Sequence, residues 1–266
     1  MLKEQALTEK DSLHKLSKHI LADSHCHLDL LDKNSIADSI AHGIQLMVSD
    51  GVDTRSNMEV LKIADDTFIF PALGIDPEHA NVSQSELEFN LDLARINAKR
   101  LVAIGEIGLD YKIATDPISI EKQKYVFASF LELAKELDKP VSVHARNAID
   151  DVLSILEGHN IRNAHLHFFE GNIEQAKRAE RNGYMISIPP FSSSRRSSVI
   201  KSIAIDRLLA ESDAPAAGKS PMDVEKSIKI IAEVKGIAFE KAAEQILANT
   251  RRFFRIENRM IRKEGP

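Results

Sequence analysis

The sequence predicts a (β/α)8 TIM barrel folded as a single domain, with a doubly wound open sheet as the fold-level alternative. Three observations point there. Eight short apolar runs recur along 266 residues. Several of them, such as "IQLMV", "LVAIG" and "YMISI", are apolar almost throughout, which suits parallel strands buried on both faces. The stretches between them carry helical periodicity.

Taken in order, the strand candidates are Ile20–His27, Ile44–Ser49, Phe68–Ile75, Leu101–Glu106, Val141–His144, Ala164–Phe168, Tyr184–Ile188 and Arg207–Ser212. The first runs into "DSHCHLD", where alternation of strand side chains turns His25 and His27 one way and Cys26 the other. Helix succeeds strand. Phe127, Phe130, Leu131, Ala134 and Leu137 fall at three- and four-residue spacing, as do Val224, Ile228 and Ile231. Start signals agree: Ser85 with Glu88 fits a capping box, and Asp116-Pro117 and Ser220-Pro221 place a capping residue before a proline. Residues 1–19 form an N-terminal extension, either a weak amphipathic helix through Leu13 and Leu16 or a frayed tail; the barrel takes residues 20–266. No linker, repeat or low-complexity segment divides the chain.

Composition narrows the function. With 43% hydrophobic and 28% charged residues the chain is ordinary globular protein. Its net charge of −5 argues against a strongly basic nucleic-acid-binding module, yet permits an enzyme that holds phosphates through metal ions. A single cysteine rules out an internal disulfide framework. No run of about 18 apolar residues exists to span a membrane, and the polar N-terminus lacks the apolar stretch of a signal peptide, so the expected location is cytoplasmic.

The chemistry lies in the polar residues at the ends of the apolar runs: His25 and His27 after the first, Asp76 after the third, Glu106 after the fourth, His144 after the fifth, His167 after the sixth and Asp213 after the eighth. In a parallel barrel these ends meet on one face, where active sites are built. With Asp76 set apart as a possible seventh group, four imidazoles and two carboxylates exceed the needs of one tetrahedral ion; two divalent ions bridged by a carboxylate fit better. Glu106 is the natural bridge, with His25, His27 and Asp213 completing one ion and His144 and His167 the other. Taken singly, each histidine reads as structural or exposed, Glu106 as an ion-pair carboxylate and Asp213 as a helix cap; the joint recurrence after strands is what carries the reading. His14, His19, His42, His79, His159 and His165 fall elsewhere and read mostly as solvated, with His165 a weaker ligand candidate because it shares a face with His167.

With these residues in view, the chain resembles the TatD-like metal-dependent deoxyribonucleases of the amidohydrolase-like barrel group. The resemblance rests on "DSHCHLD", "GEIGLDY", "PVSVHAR", "HLHFFEG", "ESDAP" and a closing "ANTRRFF", and spans about residues 20 to 256. It implies a barrel with two divalent ions, of Mg, Mn or Zn, and hydrolysis of phosphodiesters, typically from a DNA 3′ end. It assigns the same six residues to the metals. There are departures. Most members carry Gly-x-His-Pro after the third strand; here "GIDP" puts Asp76 where a histidine is expected at the substrate phosphate. At close range an aspartate repels phosphate unless it binds a metal, takes up a proton or turns away, and His79 nearby can substitute in part. "FEG" adds Glu170 at the mouth, and "SIPP" replaces a glycine-containing stretch.

The expected mechanism is hydrolysis by a water that two ions activate, with Asp213 as general base and Glu106 between the ions. Arg146 is a candidate phosphate clamp or else an ion-pair partner of Asp150, and Arg195 with Arg196 a candidate backbone contact or a solvated helix start. The rival readings are a metal-dependent hydrolase of a small amide, ester or lactone, and a binding barrel without turnover.

Overall fold

A computed structural model describes residues 20–256; the expected N-terminal helix or tail lies outside the described residues. Eight parallel strands stand in sequence order in one sheet: β1 (Leu21–Cys26), β2 (Ile44–Asp50), β3 (Ile69–Leu73), β4 (Ala103–Asp110), β5 (Val141–Arg146), β6 (Ala164–Leu166), β7 (Met185–Ile188) and β8 (Leu208–Ala210). They alternate with α1 (Lys33–Ala41), α2 (Thr54–Ile63), α3 (Gln84–Ile96), α4 (Pro117–Glu136), α5 (Ile149–Gly158), α6 (Ile173–Arg181) and α7 (Ser194–Ser202); α8 (Val224–Lys235) and α9 (Phe239–Phe253) come after β8. The sheet closes where β8 meets β1: Ser24 Oγ donates to Ala210 O (2.9 Å), Asp213 N to His25 O (3.1 Å) and His27 N to Ala214 O (2.8 Å). This is the expected barrel, not the open sheet.

Strand faces divide the apolar residues. Met47, Ile104, Ile107 and Leu109 pack with the helices, whereas Ala22, Leu46, Val48, Phe70, Ala72 and Leu209 join Phe254 and Ile256 in a second buried cluster. Helix starts obey cap chemistry. Asp116 accepts from Ile118 N and Ser119 N with Pro117 in the first turn, as the sequence indicates. Two cap expectations fail. Ser83 rather than Ser85 caps α3, because Ser83 keeps an extended backbone and receives Glu86 N. Ser220-Pro221 opens only a short 3-10 turn, and α8 begins three residues later.

Three register slips shape the interior. β1 shifts against β2 between Leu21 and Ala22 and again between Asp23 and Cys26, and β4 shifts against β5 between Ile104 and Ile107. Ala22 faces the inner cluster and Cys26 the helices, so parity changes within β1 and His25 turns inward; irregularities of this kind re-aim side chains beside active sites. β4 also runs past its expected end at Glu106 to Asp110. It can do so because Gly108 lies against β5 at φ 143°, where a Cβ would come within 2.1 Å of His144 O.

Candidate metal centre

The six expected groups meet inside the C-terminal rim. Oε1 of Glu106 lies 2.9 Å from His144 Nδ1 and 2.9 Å from His167 Nε2. Its other oxygen, Oε2, lies 3.4 Å from His25 Nε2 and 3.6 Å from His27 Nε2. Asp213 Oδ1 faces the same two nitrogens at 3.8 and 3.4 Å. The potential ligand atoms of His25, Glu106 and His167 lie within 4.8 Å of one another, as do those of His25, His27 and Asp213. His25 therefore belongs to both groups, whereas the sequence reading placed it in one.

This donor set fits a divalent cation. His25 Nε2 is buried without a hydrogen-bond partner, facing carboxylate oxygens. Imidazole nitrogens and carboxylate oxygens are the usual ligands of Zn²⁺ and related ions. The outer nitrogens of His25, His27 and His144 also face oxygens, which sets which nitrogen points inward. His25 Nδ1 lies 3.2 Å from Asp50 Oδ2, His27 Nδ1 lies 3.1 Å from the Asp50 carbonyl oxygen, and His144 Nε2 lies 3.2 Å from Asp110 Oδ2. His167 Nδ1 is buried and lies 4.0 Å from Glu211 Oε2. Sequence reasoning missed Asp50 and Asp110, although both end apolar runs, "LMVSD" and "IGLD".

The groups shift one another. Burial raises the pKa of Glu106, but the facing His167, His144 and His25 overcome it and hold the carboxylate well below its ordinary range. Burial opposes charge on His27 and His144 too, yet the surrounding carboxylates lift them to about 9 and about 10. Asp213 is likewise lowered, its burial offset by the hydrogen bond from His27 and by the neighbouring imidazoles. Its backbone is left-handed at φ 48°, uncommon outside glycine and characteristic of functional positions. The preceding residue pins it: Ser212 N donates to Asp23 Oδ1 (2.9 Å), and Ser212 Oγ donates to the other oxygen. Asp23, the first acid of "DSHCHLD", therefore staples β1 to the end of β8.

The remaining candidates lie around this centre. Asp76 turns its carboxylate onto the next turn, where Oδ1 accepts from His79 N (2.9 Å) and His79 Nδ1 (2.7 Å). His79 Nε2 lies 3.8 Å from Asp53, and the hydrogen bond to Asp76 lifts the half-exposed imidazole to about 8. Arg146 ends β5, and among the described residues it forms no ion pair with Asp150, which is taken by Gln175 Nε2 (2.9 Å) and Arg178 (4.0 Å). His165 is not solvated: it is fully buried, with Nε2 2.7 Å from Ser187 Oγ, and lies outside both ligand groups. His42 and His159 pair with Glu225 and Glu132. His14 and His19 lie outside the described residues.

A closed parallel barrel that gathers imidazoles and carboxylates at one rim is built as a metal-dependent hydrolase. The chain belongs to the TatD related DNase family, whose profile matches residues 22–255. Membership places it among enzymes that act on ester bonds. It is 28% identical over 258 residues to deoxyribonuclease TATDN3 of Homo sapiens, covering 88% of this chain and 94% of that protein. It is 30% identical over 258 residues to the uncharacterized metal-dependent hydrolase YabD of Bacillus subtilis, covering 89% and 100%. The crystal structure of YJJV, a TatD homolog from Escherichia coli, superposes with a TM-score of 0.82 at 25% identity, over 90% of this chain and 99% of that one.

Proposed function

We propose that this chain is a phosphodiesterase that digests DNA from a 3′ end with two divalent ions of Mg, Mn or Zn. One observation carries the reading: the two oxygens of Glu106 face different imidazole pairs, His144 with His167 and His25 with His27. A carboxylate so divided is suited to bridge. His25, His27, Glu106 and Asp213 would hold one ion, and Glu106, His144 and His167 the other. The deoxyribonuclease name of TATDN3 supports the substrate class.

Such ions, when bound, lower the pKa of a water and neutralise charge on the scissile phosphate. The chain's own groups do the rest. Asp213 keeps its carboxylate ionised and takes the proton from the attacking water. Asp50 and Asp110 keep the imidazoles turned inward. His79, cationic at neutral pH because Asp76 holds it so, contacts a phosphate oxygen in place of the expected histidine. Asp76 thus neutralises itself within the pair and does not present a bare negative charge. Arg146, free of Asp150, offers its planar fork to a second oxygen.

Glu106→Ala and Asp213→Ala should each abolish metal-dependent release of nucleotides from single-stranded DNA while leaving the barrel folded by circular dichroism. Near-normal turnover in both would remove the assigned roles. The second reading, hydrolysis of a small amide, ester or lactone, is favoured by the net charge of −5 and by exposed Glu170 at the rim. A panel of small esters and amides run beside the DNA assay separates the two.

A further inference from the structure

Beside the metal centre, on the same rim, a cavity of about 760 Å³ opens between the loops after β4, β5, β6 and β7. Its walls include Tyr111, Asn147, Phe169, Glu170, Arg195 and Arg196, and none of the six metal-centre residues. It is nonetheless close to them. Asn147 comes three residues after His144 and Phe169 two after His167, so extended chain separates each from its histidine by at most about 11 and 7 Å.

The charges on its walls are unequal in availability. Two of the acids are engaged: Asp150 with Gln175 and Arg178, and Asp151 with the Tyr111 hydroxyl (2.6 Å) and Lys124 (3.8 Å). The cations are not. Arg195 is exposed, and among the described residues it has no carboxylate within ion-pair distance. Arg196 is half-buried and fixed in place: it donates to the Phe191 carbonyl and lies 5.8 Å over the Phe168 ring. Its Nε is buried and without a partner, and it too forms no ion pair among the described residues. Burial depresses its pKa, although nearby Glu170 and Glu211 oppose this. A guanidinium held rigid, partly desolvated and without a carboxylate partner is preorganised for an anion.

We propose that this cavity binds a phosphate of a single-stranded polynucleotide, one link along from the bond being cut, through Arg195 and Arg196. The proposal rests on the phosphodiesterase reading and adds to it a recognition site separate from the metal centre. The volume lies within the range of small-ligand pockets and so suits one nucleotide-sized group, not a duplex. Tyr111 supplies an aromatic ring of the kind on which bases stack. Glu170, on the same wall, weakens the site and tunes it.

The site is read without catalysis, by fluorescence anisotropy of a labelled single-stranded decadeoxynucleotide titrated with the full chain in EDTA. Arg195→Ala, Arg196→Ala and the double variant should weaken binding progressively, the double by about tenfold or more at low salt. The slope of log affinity against log salt should fall by about 1.4 for the two lost contacts. Glu170→Gln should tighten binding. Because Arg195 is exposed and forms no ion pair among the described residues, its variant separates charge from folding. Unchanged affinity and slope in the double variant overturn the proposal, as does failure of the unmodified chain to bind the strand. The metal-loaded chain is assayed for DNA cleavage in parallel: binding without cleavage overturns the phosphodiesterase reading and leaves the cavity assignment intact, whereas cleavage with an unaffected double variant does the reverse.

Discussion

At the scale of single residues, Asp50 does two jobs from one position. Its carboxylate faces His25 Nδ1 and its carbonyl oxygen faces His27 Nδ1, so one residue of β2 aims both imidazoles of β1. Partners of this kind usually contribute 10- to 100-fold in metal affinity. Asp50→Ala should therefore weaken Mn²⁺ or Zn²⁺ binding by about that factor in calorimetry, and unchanged affinity would refute the role. His79 makes a pH prediction. Its pKa is raised to about 8, so the imidazole is charged at pH 7 and loses its proton as pH rises through 8. The KM for a phosphodiester should rise over that interval, and His79→Gln should raise KM at pH 7 and flatten the dependence. A variant whose profile matches the unmodified chain would exclude His79 from phosphate contact.

At the scale of elements, the strands supply position and the slips supply direction. The sequence places His25, His27, Glu106, His144, His167 and Asp213 at or beyond apolar runs, and each reaches the rim. It does not show that β4 continues to Asp110, since "GEIGLDY" looks like a break until Gly108 is seen to give His144 room. Nor does it show the parity change within β1, because alternation is a local rule and register is set by the neighbouring strand. His165 misled for a related reason: a histidine beside an apolar run looks solvated until the strand is wrapped into a barrel that buries it between Ser142 and Ser187. The closing helix α9 has a separate duty. Buried Asn249 donates through Nδ2 to Ile205 O and Leu208 O, both at 2.8 Å, and so secures the start of β8. Asn249→Ala removes the side-chain donor to the buried Leu208 carbonyl and leaves Ile205 O with Leu208 N alone, and should cost about 1–3 kcal/mol of stability in a denaturant titration, while metal affinity is unchanged at temperatures where it stays folded. A loss of metal affinity without loss of stability would contradict this division of labour.

At the scale of the whole molecule, filling the centre should add stability. Six ionisable groups crowd a buried space, and His27 and His144, raised to about 9 and about 10, must give up protons to bind metal. Affinity should accordingly climb with pH toward that range. At free metal about 100 times Kd, binding adds about 2.7 kcal/mol, or roughly 5–10 °C in Tm, over chelated protein. Equal Tm with and without EDTA would show that the cluster holds no ion. The sequence by itself determined the barrel, the rim on which chemistry sits and the six residues that meet there, because strand period and chain direction are local properties that topology carries to one face. Only the tertiary structure decided which oxygen of Glu106 faces which imidazole pair, that Asp50 and Asp110 stand behind the histidines, that Asp76 directs its charge onto His79, and that an anion-ready cavity lies alongside. Each of these depends on distances between strands and loops far apart in the chain, and no local pattern encodes them.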